Sequence, residues 1–314
     1  MIGKLLNNLK KLCINLHSFF NGVIDLYINI LETIGNTPIV KLKSNLFAKL
    51  EYFNPFGSIK DRAAFQMLKD AKKEGFIEKG ATVVEATSGN MGISIAAIGN
   101  VMGYKTIIVM PENMSLRRKE LLNEFGAELV LTDAEKGMMG AVERANKIKN
   151  EIQGSYMPNQ FENYSGVWAH YLTTAPEIDR QMDGKVDVVV CGIGTGATIT
   201  GIANYFYGKN VKVIGVEPEK SPFLSEGYSG IHNIQGIGAG FRPQILNLDL
   251  IDEIVTVSDE EALFCAKSLM NSDGLFGGIS SGAVYSAALK ISQREEFIDK
   301  NIVVIFADSW DRYL

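Results

Sequence analysis

The stretch Val186-Asp187-Val188-Val189-Val190-Cys191-Gly192-Ile193-Gly194-Thr195-Gly196-Ala197-Thr198 decides the fold of this chain. A short apolar β-branched run gives way to glycines and then to a helix-like segment, Ile199 to Tyr207. Strand, glycine turn and helix in that order open a βαβ unit. The alternation continues downstream with strand-like Val211 to Glu217 and Asn301 to Phe306. Upstream, Thr82 to Glu85, Lys105 to Met110 and Glu128 to Thr132 read as strands. Gly92 to Val101, Ser115 to Phe125 and Gly137 to Glu151 between and after them read as helices. Two such series, each with its own glycine turn, predict an α/β protein of two doubly wound three-layer lobes with a cleft between them. A length of 314 residues fits two domains better than one core. No short-period repeat, low-complexity stretch or long linker interrupts the pattern.

Composition narrows the function classes. A net charge of −5 with no long Lys/Arg run argues against a nucleic-acid binder. Cys13, Cys191 and Cys265 are odd in number and far apart, and only His17, His170 and His232 could add imidazole ligands. Neither a disulfide framework nor a metal site is expected, and the compartment implied is the reducing cytoplasm. In residues 1–22, Leu5, Leu9, Leu12, Leu16 and Phe19 recur at helical spacing, but Asn7, Asn8, Lys10 and Lys11 break the apolar run. That argues against a signal peptide and a membrane span. The segment is expected to be an amphipathic extension packed on its own protein or on a dimer partner.

Four places carry unusual chemistry. In Asn54-Pro55-Phe56-Gly57-Ser58-Ile59-Lys60-Asp61-Arg62, turn formers lead into a helix near Ser58. Lys60 falls in its first turn, where the macrodipole disfavours a cation and lowers the amine's pKa. A solvated lysine after an N-cap serine would look the same in isolation. Glu85-Ala86-Thr87-Ser88-Gly89-Asn90-Met91-Gly92 sits at a strand-to-helix junction. Backbone N–H groups there, with the Thr87 and Ser88 hydroxyls, suit a carboxylate, although a plain N-cap remains the simpler reading. The glycine turn from Gly192 to Thr198 departs from the dinucleotide fingerprint and lacks a Walker ending, so it fits a small phosphate better than a pyrophosphate. Gly277-Gly278-Ile279-Ser280-Ser281-Gly282 offers hydroxyls that could meet a ring nitrogen or merely cap a helix. An amine, a carboxylate cradle, a phosphate cradle and a hydroxyl turn together match the needs of pyridoxal 5′-phosphate and an amino acid.

At these residues the chain resembles the cysteine synthases (O-acetylserine sulfhydrylases) and cystathionine β-synthases, fold type II, tryptophan-synthase-β-like enzymes that use pyridoxal phosphate. The resemblance runs from Ile34-Gly35-Asn36-Thr37-Pro38 through Ala48 to Pro55, the Lys60 motif, Thr87-Ser88-Gly89-Asn90 and Asn159 to Asn163. It continues through His170-Tyr171, Thr173-Thr174, Gly194-Thr195-Gly196, Gln235 to Phe241, Gly278 to Gly282 and Asp311-Arg312-Tyr313-Leu314.

The resemblance implies a small mobile domain at 45–163 and a larger one from 23–44 and 164–314, with the active site in the cleft. It implies Lys60 as the catalytic lysine that carries the cofactor, and Asn90 as a partner of the cofactor's 3′-oxygen. Gly194, Thr195, Gly196, Ala197 and Thr198 would hold the phosphate, and Ser280 would face the pyridine nitrogen. Thr87, Ser88, Gly89, Met91, Gln160 and Gly236 would line the substrate's site. The implied reaction is β-replacement through α-aminoacrylate, with O-acetyl-L-serine and sulfide as the first choice of substrates. L-cysteine, L-serine or O-phosphoserine as donors, with hydrogen sulfide, lanthionine or cystathionine as products, form the alternative, and a non-catalytic binding protein a second one. A homodimer and a serine acetyltransferase partner are further implications. Departures from the family pattern are Met91 for a usual threonine, Phe56 and Ala197 for usual glycines, Ala175 after Thr174, Arg242, and a short Leu42-to-Leu46 connection. Met91 and Phe56 are expected to narrow and dry the carboxylate end.

Overall fold

The computed structural model describes residues 26–313. The extension expected at 1–22, with Cys13 and His17, lies outside the described residues. Strands are β1 (Ile39–Lys41), β2 (Leu46–Leu50), β3 (Thr82–Ala86), β4 (Lys105–Pro111), β5 (Glu128–Thr132), β6 (Val188–Gly192), β7 (Lys212–Pro218), β8 (Glu253–Val257) and β9 (Ile302–Phe306). They form a six-stranded sheet in the order β1-β2-β9-β6-β7-β8 and a three-stranded sheet β3-β4-β5. Every pairing is parallel except β1 with β2. Helices that matter below are α1 (Lys60–Lys73), α2 (Asn90–Met102), α3 (Leu116–Glu124), α4 (Gly137–Glu151), α5 (Ser165–Ala169), α6 (Ala175–Gln181), α7 (Ala197–Phe206), α8 (Asp259–Asp273) and α9 (Ile279–Ser292). No helix among the described residues is long and apolar enough to cross a membrane.

The continuous apolar strands follow from burial on both faces. Side chains alternate across a strand, so Val188 and Val190 enter one core while Val189 and Cys191 enter another. β9 does the same, with Ile302, Val304 and Phe306 against Val303 and Ile305. The first core is closed by α8 and α9 (Leu269, Val284, Ile291), the second by α6 and α7 (Ile178, Ile199, Phe206). The smaller sheet repeats this scheme: Val83 and Ile108 pack under α1 and α2, whereas Val84 and Val109 pack under α4.

One expected boundary is corrected. Residues from 45 onward were expected in the smaller unit, yet β2 pairs with β9 in the large sheet, from Leu46 opposite Ile302 to Leu50 opposite Phe306. The reason is burial: Leu46, Ala48 and Leu50 enter the same core as Val188 and Val304. The chain leaves the large sheet only at Ile59, which packs with the second core, while Ala63 on the next turn already belongs to the small sheet's core.

A buried ion network anchors that crossing. Arg62 donates from Nε and Nη2 to Glu51 at 2.6 and 2.8 Å, and from Nη1 and Nη2 to both oxygens of Glu177 at 2.7 Å. It also donates to the hydroxyls of Thr173 (3.0 Å) and Thr37 (3.2 Å). Lys49 Nζ completes the cluster with Glu177, Gln181 and the Thr37 carbonyl. Two cations face two anions, and the side chains of Lys49, Arg62 and Glu51 are almost wholly out of water. Arg62→Met would leave two carboxylates buried with less than their charge balance. It should cost about 3–5 kcal/mol, read as a lower urea midpoint at unchanged slope. Lys185→Ala, which removes an exposed pair with Asp183, should not move the midpoint measurably.

Candidate active site

The carboxyl ends of the β6 and β9 strands meet the N-termini of α1, α2, α7 and α9 around one recess. It measures about 60 Å³ and is lined by Lys60, Asn90, Gly194, Thr195, Gly196, Thr198, Ser280 and Asp308, among others. A wider cleft of about 510 Å³ shares Lys60, Asn90, Gly194, Thr195, Gly236 and Asp308, and adds Thr87, Ser88, Gly89, Met91, Gln160 and Arg118. Residues chosen from four separate motifs therefore line one connected space. Ala197 is the exception among them: it is buried as the first residue of α7, with its N–H 3.4 Å from the Thr195 hydroxyl, and it lines neither cavity.

Lys60 opens α1, and its N–H is 3.2 Å from the Ser58 hydroxyl. Burial pushes its amine down to about 8, against the opposing pull of the Asp308 carboxylate. The helix dipole acts in the same sense but is not the main cause. The neighbouring Asp61 turns the other way. It accepts from the Ser94 hydroxyl at 2.6 Å and the Phe56 N–H at 2.8 Å, which ties the turn at 54–57 and α2 to the start of α1.

The glycine turn is shaped by close approach. A Cβ on Gly194 would lie 2.3 Å from the Gly236 carbonyl oxygen, so the two loops can touch only through glycine. At the head of α7, Thr198 Oγ1 is 3.2 Å from His170 Nε2, and His170 Nδ1 is 2.9 Å from Thr174 Oγ1. Burial, then Arg62, pushes His170 down to about 3, so it stays neutral at ordinary pH. His170 sits on a single π turn (His170–Thr174) between α5 and α6, which aims the ring at α7. Helix N-terminus, glycine backbone and hydroxyls make an anion cradle.

Asp308 is one residue the sequence reading missed. Its Oδ2 accepts from Asn90 Nδ2 at 2.6 Å and from the Tyr313 hydroxyl at 2.7 Å, while its buried Oδ1 has no partner. Burial raises its pKa. Gly278 makes room for it, since a Cβ there would meet Oδ1 at 2.2 Å. The available signal was its place directly after the apolar strand β9, because open parallel sheets put ligand groups at the carboxyl ends of strands. Gln160 is held from behind by Glu85, whose carboxylate accepts the N–H groups of Asn159 (3.1 Å) and Gln160 (3.4 Å).

Among the departures, Met91 is buried and lines the cleft. Phe56 does not line either cavity. Its ring packs edge-on against Phe125 at 5.8 Å, so it cannot dry the carboxylate end directly. Arg242 is exposed and also outside both cavities.

The recess meets the demands of pyridoxal phosphate on structural grounds: a partly buried amine shifted toward neutrality, a glycine-built anion cradle, and hydroxyl and amide groups between them. The model of the pyridoxal-phosphate dependent enzyme family matches residues 30–308. The chain is 51% identical over 288 residues to cysteine synthase B of Campylobacter jejuni, covering 90% of this chain and 95% of that one. Among solved structures it is similar to a cysteine synthase from Entamoeba histolytica, with 41% identity, a TM-score of 0.90, and 93% and 90% of the two chains covered. A hydrogen sulfide-producing enzyme from Fusobacterium nucleatum gives 42% identity, a TM-score of 0.86, and coverage of 92% and 100%. The α/β architecture of the fold type II enzymes, expected from the sequence, is shared with these structures.

The state of Lys60 is open to direct measurement in cofactor-free protein. Below about 8 the amine is protonated and inert. Its rate of reductive methylation, followed by mass spectrometry, should rise with pH and level off above about 8. Surface lysines should keep accelerating toward about 10.4. Asp308→Asn removes the charge that favours the ammonium, so the Lys60 midpoint should move lower still. A Lys60 that titrates with the surface lysines would contradict the desolvation that lowers its pKa.

Proposed function

Because the chain belongs to the pyridoxal-phosphate-dependent enzymes, we propose that it makes L-cysteine by replacing the β-acetoxy group of O-acetyl-L-serine with sulfide. The observation that carries this most directly is Lys60, a partly buried amine shifted toward neutrality between two separate anion cradles. Lys60 holds the cofactor at rest. Its amine, when free, would also accept the proton from the substrate's α-carbon. A pKa of about 8 suits both tasks near neutral pH. The bound cofactor supplies the electron sink for the charge left on that carbon.

The remaining roles follow the same logic. Gly194 to Thr198 hold the phosphate at the head of α7. Asn90 has one amide hydrogen committed to Asp308 and a second free for the cofactor's 3′-oxygen. Ser280 would offer a neutral hydroxyl to the ring nitrogen, a partner that does not hold a proton on it and so would favour elimination over transamination. Thr87 to Met91 and Gln160 take the substrate's carboxylate. A substrate that touches cradles on both sheets draws the two units together and sheds water from the cleft. A cytoplasmic homodimer that docks serine acetyltransferase belongs to the same proposal, supported by the family resemblance alone.

A second reading has one specific observation behind it. Met91 puts a thioether where the cleft would otherwise have a hydroxyl, and one similar structure is a hydrogen sulfide-producing enzyme. In that case L-cysteine is the donor and sulfide the product.

Lys60→Ala should lower kcat by more than about 10³-fold and remove the long-wavelength absorbance of the bound cofactor while the far-UV CD spectrum stays native. β-Replacement activity that survives in this variant would overturn the mechanism. Mixing the enzyme separately with O-acetylserine, cysteine, serine and O-phosphoserine, and reading kcat/KM for each, separates the two donors. If Met91 tunes that choice, Met91→Thr should shift the ratios toward O-acetylserine; unchanged ratios would make it a packing substitution.

A further inference from the structure

Arg118 on α3 was not among the residues singled out from the sequence, yet its side chain spans the cleft. Nη1 donates to the Ser88 carbonyl at 3.1 Å, and Nη2 donates to Oε1 of Gln235 at 2.6 Å. Ser88 lies in the turn before α2, on the small sheet. Gln235 lies in the loop whose next residue, Gly236, packs its carbonyl against Gly194. One guanidinium thus connects the carboxylate cradle to the loop that backs the phosphate cradle.

The contact with Ser88 has a consequence fixed by peptide geometry. In a planar trans peptide the carbonyl of Ser88 and the N–H of Gly89 point in opposite directions. With the carbonyl held by Arg118, the Gly89 N–H is directed toward the Thr87 hydroxyl. It makes only a long contact there, 3.4 Å, in the wall of the cleft. Such a donor is available for a better acceptor. A cationic hydrogen bond on the carbonyl also polarises the peptide and strengthens its N–H as a donor. Gln235 supplies the second anchor that keeps the guanidinium, a long and otherwise mobile group, in the plane this requires.

We propose that Arg118 is a positioning residue for the substrate's carboxylate, acting through the Ser88–Gly89 peptide and held in place by Gln235. The role rests on Thr87 to Met91 being the carboxylate cradle of the proposed function, and it adds a specificity element outside that cradle: selection of α-amino acids over the corresponding amines.

The test uses holoenzyme titrated with methionine and, separately, with its decarboxylated counterpart 3-(methylthio)propylamine, following the absorbance change of the bound cofactor. Arg118→Met should weaken methionine about 10- to 100-fold, the range for a hydrogen bond to a charged group, and leave the amine within about twofold. Gln235→Ala is an exposed substitution that keeps the charge of Arg118 but frees its side chain. It should weaken methionine in the same direction by a smaller factor, again sparing the amine. Equal losses for both ligands, or no loss for methionine in Arg118→Met, would overturn the role. An unaffected Gln235→Ala would overturn the two-point anchoring and leave a simple charge effect in its place. Wild-type enzyme that binds methionine and the amine equally well would instead overturn the carboxylate cradle, and this inference with it.

Discussion

The structure depends on where Arg62 is held. Its guanidinium has five N–H donors, and Glu51, Glu177, Thr173 and Thr37 supply acceptors all around its plane. Burying such a cluster gains little net stability, because desolvation of each ion offsets most of the attraction. Its effect is directional. Glu51 follows β2, Glu177 lies on α6, and Thr37 leads into β1, so the first turn of α1 is fixed to three elements of the large unit. Lys60 is two residues away and inherits that fixed position. Glu51 in turn holds Asn54, whose side-chain carbonyl accepts the Gly35 N–H at 2.9 Å. The family motifs at Ile34 to Pro38, Ala48 to Pro55 and Thr173-Thr174 carry no chemistry of their own; they converge on this network.

The site lies on the seam between cores. Ile59 packs with the large unit and Ala63 with the small one, so Lys60 sits where the chain passes from one to the other. A lysine in either core would be costly to keep; on the seam it is dry enough to approach neutrality yet faces a carboxylate that limits the shift. Asp308 occupies an equivalent seam position at the end of β9. The Ser58–Asp308 bridge and the bond from the Ile59 N–H to the Ala307 carbonyl place the two chain segments side by side. Amine and carboxyl are thus set by the backbone rather than by long mobile side chains.

Much of this was legible in the sequence because glycine and hydroxyl residues at strand-to-helix junctions are a local signature. Asn90 and Gly194 stood out at such junctions and Lys60 and Ser280 in turns ahead of helices, while the roles expected of them came from the family resemblance. The central strands were legible because burial on both faces leaves an uninterrupted apolar run, as in Val186 to Val190. Other elements left no such mark. β1 has three residues and ends in an exposed lysine, and β8 is only partly buried along most of its length, so neither stands out from loop sequence. β2 was read with the wrong unit because its partner, β9, is some 250 residues away in sequence, a pairing that periodicity cannot reveal. Arg118 and Asp308 were missed for the same reason: each is an ordinary charged residue until the partner that defines it arrives from a distant segment.

The two anion cradles differ in construction, and the difference matches the role proposed for each. The one around Gly194 is over-determined: Gly194 touches the Gly236 carbonyl, a Cβ at Gly196 would strike Leu246, and Thr198 is held by a neutral histidine. A ligand that stays through every turnover is suited by a site that cannot adapt. The cradle at Thr87 to Met91 has little of this. Gly89 has no atom within 4 Å of a would-be Cβ, its N–H makes one long contact, and its carbonyl neighbour is tethered across the cleft by a partly exposed arginine. A ligand that must enter, react and leave is suited by a site whose geometry is completed from the opposite unit. Substitutions such as Met91 accumulate chemical meaning there because nothing else over-determines that wall, whereas Phe56, locked against Phe125, is absorbed by packing.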